Sequence, residues 1–164
     1  MKKDDLLIRV STEEDENVWK EWLEEKGILK WFPMTGQAEI DDSLRIWKYY
    51  ITKKSIFTIL SNKQVCGVVN LYLNEFKKMK HQCLFAIIIA KEFRGKGIGK
   101  YFLEEIIKKA KNDFSIEQLH LEVYENNPAI HLYKKLGFEI YGEHKHSLKE
   151  NNKYIAKIFM RKFL

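Results

Sequence analysis

Glu92-Phe93-Arg94-Gly95-Lys96-Gly97-Ile98-Gly99-Lys100 is the stretch on which the fold turns. Glycines at 95, 97 and 99 strip side chains from the point where the backbone enters a helical pattern. Several N–H groups can therefore converge on one anion at the positive end of a helix dipole. Arg94, Lys96 and Lys100 add positive charge around the same turn. A pyrophosphate needs both kinds of donor to leave water, so the pattern reads as a phosphate cradle. A glycine-rich turn with no ligand is the competing reading.

Immediately upstream, residues 55–60, 65–73 and 81–90 are rich in Val, Ile, Leu and Phe, and Ser61-Asn62-Lys63 supplies a hairpin turn between the first two. That is the signature of an antiparallel meander. Immediately downstream, Ile98, Phe102, Ile106 and Ala110 recur at helical spacing, with Leu103 and Ile107 beside them. Further out, residues 6–10 read as a short strand, and Ser11-Thr12-Glu13-Glu14 as the cap and acidic first turn of a helix running to about Glu25, with Gly27 beyond it. Trp31-Phe32-Pro33-Met34 forms an apolar loop, and residues 38–52 a second helix with Ile40, Leu44 and Trp47 on one face. On the other side follow a strand at 118–123, a helix at 128–136 closed by Gly137, and strands near 138–143 and 154–162.

Two nucleotide-binding folds fail on spacing. A dinucleotide fingerprint needs glycine where Lys100 stands, and a P-loop needs Ser or Thr where Tyr101 follows Lys100. An antiparallel meander is also the wrong prelude for a doubly wound sheet.

Arg94, Gly97 and Gly99 fit the Arg/Gln-x-x-Gly-x-Gly/Ala loop of the GNAT superfamily of acyl-CoA-dependent N-acyltransferases. Downstream, residues 126–138 (Asn126-Asn127-Pro128-Ala129-Ile130-His131-Leu132-Tyr133-Lys134-Lys135-Leu136-Gly137-Phe138) resemble that family's Asn-x-x-Ala-x-x-x-Tyr-x-x-x-Gly-Phe segment. The resemblance is carried by residues 55–140; the N-terminal part matches in having two helices where the family builds its acceptor site. It implies an α/β (α+β) fold, with a mixed, mostly antiparallel central sheet flanked by helices and a splay between strands four and five. It implies one N-acetyltransferase domain over residues 1–164, with acetyl-CoA as co-substrate and a primary amine, on a small molecule or a peptide or protein, as acceptor.

Carried over by position, the resemblance assigns Ile87, Ile88 and Ile89 to backbone contacts with the pantetheine arm, and Arg94, Gly95, Lys96, Gly97, Ile98, Gly99 and Lys100 to the pyrophosphate. Asn126 resembles the family's CoA-facing asparagine. Tyr133 resembles the tyrosine whose hydroxyl protonates the leaving thiolate; plain core packing is the competing reading of the same residue. Lys91 departs from the family by replacing a common proline. An amine with a lysine-like pKa of about 10.4 must lose a proton before it attacks a thioester, through a base or a water relay. Glu122 is the first candidate base, with His81 and Glu125 behind it, and an exposed glutamate without a catalytic role is an equal reading.

Composition narrows the alternatives. In 164 residues, one core is the expected content. A net charge of +6 raises the possibility of a nucleic-acid-binding module, but the lysines alternate with glutamates and no interleaved aromatic and basic signature occurs. A polar start at Met1–Asp5 and the lack of a long apolar run lead to an expectation of a cytoplasmic protein with neither membrane nor nucleic acid as partner, monomeric or homodimeric. Cys66 and Cys83 have no CxxC or histidine spacing, so no metal site or disulfide framework is suggested. Neither has an activating base nearby in sequence, so direct attack by the amine is expected over a ping-pong route. A CoA-binding sensor without turnover is the alternative function. Trp31 and Phe32 could form one wall of an acceptor pocket, while Glu39, Asp41 and Asp42 would favour a polycationic acceptor only if they gathered at the site. His144 and His146 carry no motif.

Overall fold

The computed structural model describes residues 5–164, so most of the polar start at residues 1–5 lies outside the described residues. The chain runs β1 (Leu6–Val10), α1 (Asp15–Glu24), α2 (Gln37–Thr52), β2 (Ile56–Ser61), β3 (Gln64–Leu73), β4 (Gln82–Ile89), α3 (Ile98–Phe114), β5 (Gln118–Tyr124), α4 (Ala129–Lys135), β6 (Glu139–Glu150) and β7 (Lys153–Phe163). Among the described residues seven strands hydrogen-bond in the order β1-β2-β3-β4-β5-β7-β6. β1 with β2, β2 with β3, β5 with β7 and β6 with β7 are antiparallel. β4 and β5 are parallel and pair only through Gln82–Gln118, Cys83–Leu119 and Leu84–His120. The ladder ends at Leu84 and His120, in keeping with the splay between strands four and five that the resemblance implies.

The chain packs as two compact units. The first comprises residues up to Tyr72 together with Ala86–Leu103. Its core joins Trp19, Trp22 and Leu23 of α1 and Ile40, Leu44 and Trp47 of α2 to Ile56, Val68 and Ile88 of the strands. The helical spacing read from the sequence thus faces inward, and Trp47 is 2% exposed. Phe32 and Met34 pack half-buried against this cluster.

The start of α1 differs from the expected cap. Ser11 turns its hydroxyl to Thr58 at 2.6 Å instead of capping the helix, and Asp15 takes the Thr12 N–H at 2.9 Å. Asp15 also accepts both terminal nitrogens of Arg9, at 2.6 and 2.8 Å, and the Thr58 hydroxyl at 3.0 Å. Burial alone would push this carboxyl up. The Arg9 guanidinium and the Thr12 and Thr58 donors overrule that and hold it below the ordinary carboxylate range. A carboxyl lowered on folding stabilises the protein above its unfolded pKa of about 3.9, and that stability fades as pH falls through the lower folded value. Asp15→Ala is expected to cost about 3 kcal/mol at neutral pH, since it strands the Arg9 and Thr58 donors. Urea unfolding of both proteins down to strongly acid pH should show the gap closing below about pH 4; a gap independent of pH would remove the carboxylate from the explanation.

β3 carries the second feature that fixes the first unit. Its register with β2 shifts between Ile59 and Leu60, and the displaced Cys66 carbonyl accepts the Ala90 N–H at 3.0 Å. Gly67 sits beside this bulge. A Cβ there would lie 2.5 Å from Ile89 Cδ1 and 3.1 Å from both Ile59 Cγ2 and the Ile88 carbonyl oxygen. The Ile89 tip can swing aside, but the Ile88 backbone and the branched Ile59 cannot. Gly67→Ala is therefore expected to lose about 2 kcal/mol, read as a lower urea midpoint at unchanged slope.

The second unit comprises Leu73–Phe85 with Glu104–Leu164. Ile106 and Ala110 of α3, Leu119, Leu121 and Val123 of β5, and Tyr133, Phe138 and Met160 are buried in it. The last two strands exceed the sequence expectation. β6 continues past Glu143 to Glu150 and turns into β7 at Asn151-Asn152, whose φ values of 47° and 60° make a two-residue hairpin turn. The Asn-Asn pair, tolerant of positive φ, is the sequence signal for this turn. Across both units, no described helix is long and apolar enough to cross a membrane.

Candidate active site

In the first unit the glycine-rich stretch forms an open turn at the head of α3. After a 3₁₀ turn at Lys91–Phe93 the chain passes through Gly95 at φ +73° and Gly97 at φ +84°, a backbone that side-chain-bearing residues rarely adopt. Nothing lies within 4 Å of where a Cβ would stand at either glycine. The Gly97 carbonyl accepts the Tyr101 N–H at 3.1 Å and so opens the helix. The N–H groups of Ile98 and Gly99, in the first turn, have no intrahelical acceptor. Ile98 is sealed in the core and anchors the turn, while Lys96 is exposed. First-turn backbone donors thus stand beside the exposed Lys96, the combination a phosphate group requires.

Arg94 has an unanticipated role. Its Nε donates to the Ile89 carbonyl at 2.7 Å, tying the loop to the end of β4. The structure thus brings the Ile87–Ile89 strand end and the 94–100 loop together, and the carbonyl of Ile89 already has a donor. Ile88 is buried and Ile87 and Ile89 are half-buried, so one face of the strand end is reachable.

In the second unit Tyr133 lies on α4, 7% exposed, with its ring edge-on to Phe85 and Phe138, each at 6.1 Å between centroids. Among the described residues its hydroxyl has no hydrogen-bond partner. Burial pushes the phenol up, so it stays protonated throughout the physiological range. Asn126 is exposed at φ +64°, a conformation asparagine tolerates better than most residues. The residue that shapes the start of α4 is its neighbour: Asn127 Oδ1 accepts the Ala129 N–H at 2.9 Å. The Asn-Pro pair before a helix could have revealed it.

The three candidate bases fare differently. Glu122 is ion-paired to Lys157 at 2.6 Å. It alternates with Leu121 and Val123, so it faces away from them. Register places Cys83 opposite Leu119, which puts Phe85, and Tyr133 packed on it, on the Leu121 side. Glu122 and Tyr133 therefore occupy opposite faces of this unit's sheet. Glu125 Oε1 accepts the Ala156 N–H at 2.8 Å and fastens β7. His81 is exposed where β4 begins, at the opposite end of that strand from Ile89.

Elsewhere, Glu39 accepts the Thr35 N–H and hydroxyl at the head of α2, Asp41 accepts from Gln37, and Asp42 pairs with Arg45. Each of these carboxylates is engaged locally. Burial pushes the Cys66 thiol to about 11 and the Cys83 thiol to about 12, and each donates to a backbone carbonyl. Neither can supply a thiolate near neutral pH.

Residues 16–138 match the model of the acetyltransferase (GNAT) family, and the chain belongs to that family. It is 28% identical over 97 residues to the L-amino acid N-acetyltransferase AaaT of Escherichia coli (strain K12), a match covering 58% of this chain and 60% of that enzyme's length. It is 27% identical over 163 residues to the spermidine N(1)-acetyltransferase of the same strain, covering 98% of this chain and 81% of that one. In fold it resembles the spermidine N-acetyltransferase of Vibrio cholerae, solved in complex with CoA and spermine, at TM-score 0.83, 21% identity, and coverage of 98% and 96% of the two chains.

Proposed function

We propose that this chain transfers an acetyl group from acetyl-CoA to a primary amine by direct attack on the thioester. The observation that carries the reading is the open turn at Gly95 and Gly97, unobstructed at both Cβ positions and leading into the free N–H groups of α3. In this reading Gly95–Lys100 bind the pyrophosphate, with Lys96 and Lys100 balancing its charge and Arg94 bracing the turn. The edge of β4 beyond Leu84, where its ladder with β5 ends, offers the Ile87 backbone to the pantetheine amides as an added strand would pair, while Arg94 keeps the Ile89 carbonyl. Asn126 borders the cofactor. The family match spans parts of both compact units, which supports treating residues 1–164 as one domain.

The neutral amine adds to the acetyl carbonyl, the C–S bond breaks, and the thiolate takes the Tyr133 phenolic proton. The ammonium proton of the adduct leaves through water and returns the phenol to its neutral form. A water relay suits the site better than Glu122, which is bound to Lys157 and faces the other side of the sheet. No acyl-cysteine forms, since both thiols are held protonated by burial.

The relatives named for spermidine and for L-amino acids define the first acceptors to test, with a peptide N-terminus and a lysine side chain beside them. Release of free CoA thiol should vary with both substrates in an intersecting initial-rate pattern, and the Cys66→Ala/Cys83→Ala protein should keep a rate within about threefold of native. Parallel lines together with loss of activity in that protein would establish a covalent route instead.

A further inference from the structure

Asn70 of β3 is 5% exposed, and among the described residues its Oδ1 is sealed from solvent without a hydrogen-bond partner. A buried amide oxygen without a donor costs stability and calls for a donor from outside the chain.

Its neighbours explain why the chain supplies none. Asn70 lies directly across the ladder from Ile56 of β2, and Ile56 faces the core beneath α1 and α2. Residues directly across a strand pair share a face, so the Asn70 side chain points under the same helices. Val68 of β3 and Ile88 of β4 face that core together. Two residues further along each strand, in opposite directions, stand Asn70 and Ala86 on the same face. Neither Ile56 nor Ala86 carries a side-chain donor. The same core holds two unpartnered donors, the indole N–H groups of Trp19 and Trp47, and neither donates to Asn70.

This part of the core lies at its rim. Tyr72, the next residue of β3 on the same face, meets Tyr50 of α2 edge-on at 5.0 Å. Tyr50, Tyr72 and Ala86 are all half-buried, so Asn70 stands one step in from solvent. Ala86 directly precedes Ile87, whose backbone is assigned above to the pantetheine arm. We propose that Asn70 Oδ1 accepts an N–H of the acceptor amine and holds the nucleophile beside that arm, a role that rests on the acetyl-transfer reading. One N–H anchored on Oδ1 leaves the nitrogen lone pair free for the acetyl carbon. An uncharged amide suits the task, because a carboxylate in its place would favour the unreactive ammonium form. Asn70 takes no proton; the proton of the adduct still leaves through water.

Asn70→Leu and Asn70→Ala test this, with spermidine and L-amino acids as acceptors. In both variants kcat/KM for the amine should fall about tenfold or more, and KM for acetyl-CoA should stay within about threefold of native. Asn70→Leu should also raise the urea midpoint, since an apolar group of similar shape replaces an unpartnered polar one. Asn70→Ala adds no bulk and covers the case in which leucine overfills the site. An amide satisfied by a buried water would show the reverse, with a lowered midpoint and an unchanged kcat/KM for the amine, and that result would overturn the proposal. Equal losses toward amine and acetyl-CoA would overturn it as well. A native chain that takes up no acetyl-CoA would instead remove the acetyl-transfer reading, and the proposal with it.

Discussion

Gly97→Glu is expected to weaken acetyl-CoA binding by at least about a hundredfold while leaving the fold intact. Two effects act together. At φ +84° a side chain costs roughly 1–2 kcal/mol of backbone strain, which the turn relieves by opening. The new carboxylate then stands beside the donors meant for the pyrophosphate, and like charges at close range in a partly dry site repel by at least as much again. The side chain meets no protein atom within 4 Å at its root, so the loss would not come from a disrupted core. Gly97→Ala separates the two effects, because it keeps the strain and adds no charge. Its affinity should fall by only about tenfold. Calorimetric titration of both variants checks this, with urea midpoints as the control for folding; equal losses in the two would leave the charge argument without support.

Tyr133→Phe is expected to lower kcat by roughly a hundredfold to a thousandfold and to leave KM for acetyl-CoA within about threefold of native. The ring contacts to Phe85 and Phe138 survive the substitution, and the hydroxyl gives up no hydrogen bond to the described residues. Stability should therefore change by less than about 1 kcal/mol. A purely structural tyrosine would show the reverse, with full turnover and a lowered midpoint. Acetyl-thioesters with better leaving groups provide a second readout, since a weaker base at sulfur depends less on an acid. The Tyr133→Phe deficit should shrink with such substrates, and a deficit independent of the leaving group would deny Tyr133 the role of acid.

The sequence was most informative where one local pattern had one physical solution. Glycines before a helical stripe could only make a turn with free N–H groups, and Ile98, Phe102, Ile106 and Ala110 could only face a core. Apolar runs located β2, β3 and β4 within one or two residues, and the two positive-φ residues Asn62 and Lys63 form the turn expected between the first two. Long-range partners were not legible. Nothing in a strand pattern says that Arg94 would fold back on Ile89, that Lys157 would engage Glu122, or that Asp15 would gather Arg9, Thr12 and Thr58. Those pairings depend on register between segments far apart in the chain. The sequence marks only the first part of β6, because its residues are polar on both faces and exposure at an edge removes the alternation by which strands are recognised.

Calorimetric titration of the native chain with acetyl-CoA at physiological salt bears on the central claim most directly. One equivalent bound with micromolar affinity is the expected result. A folded native protein that takes up no acetyl-CoA would contradict the assignment of the 94–100 turn and the acetyl transfer built on it.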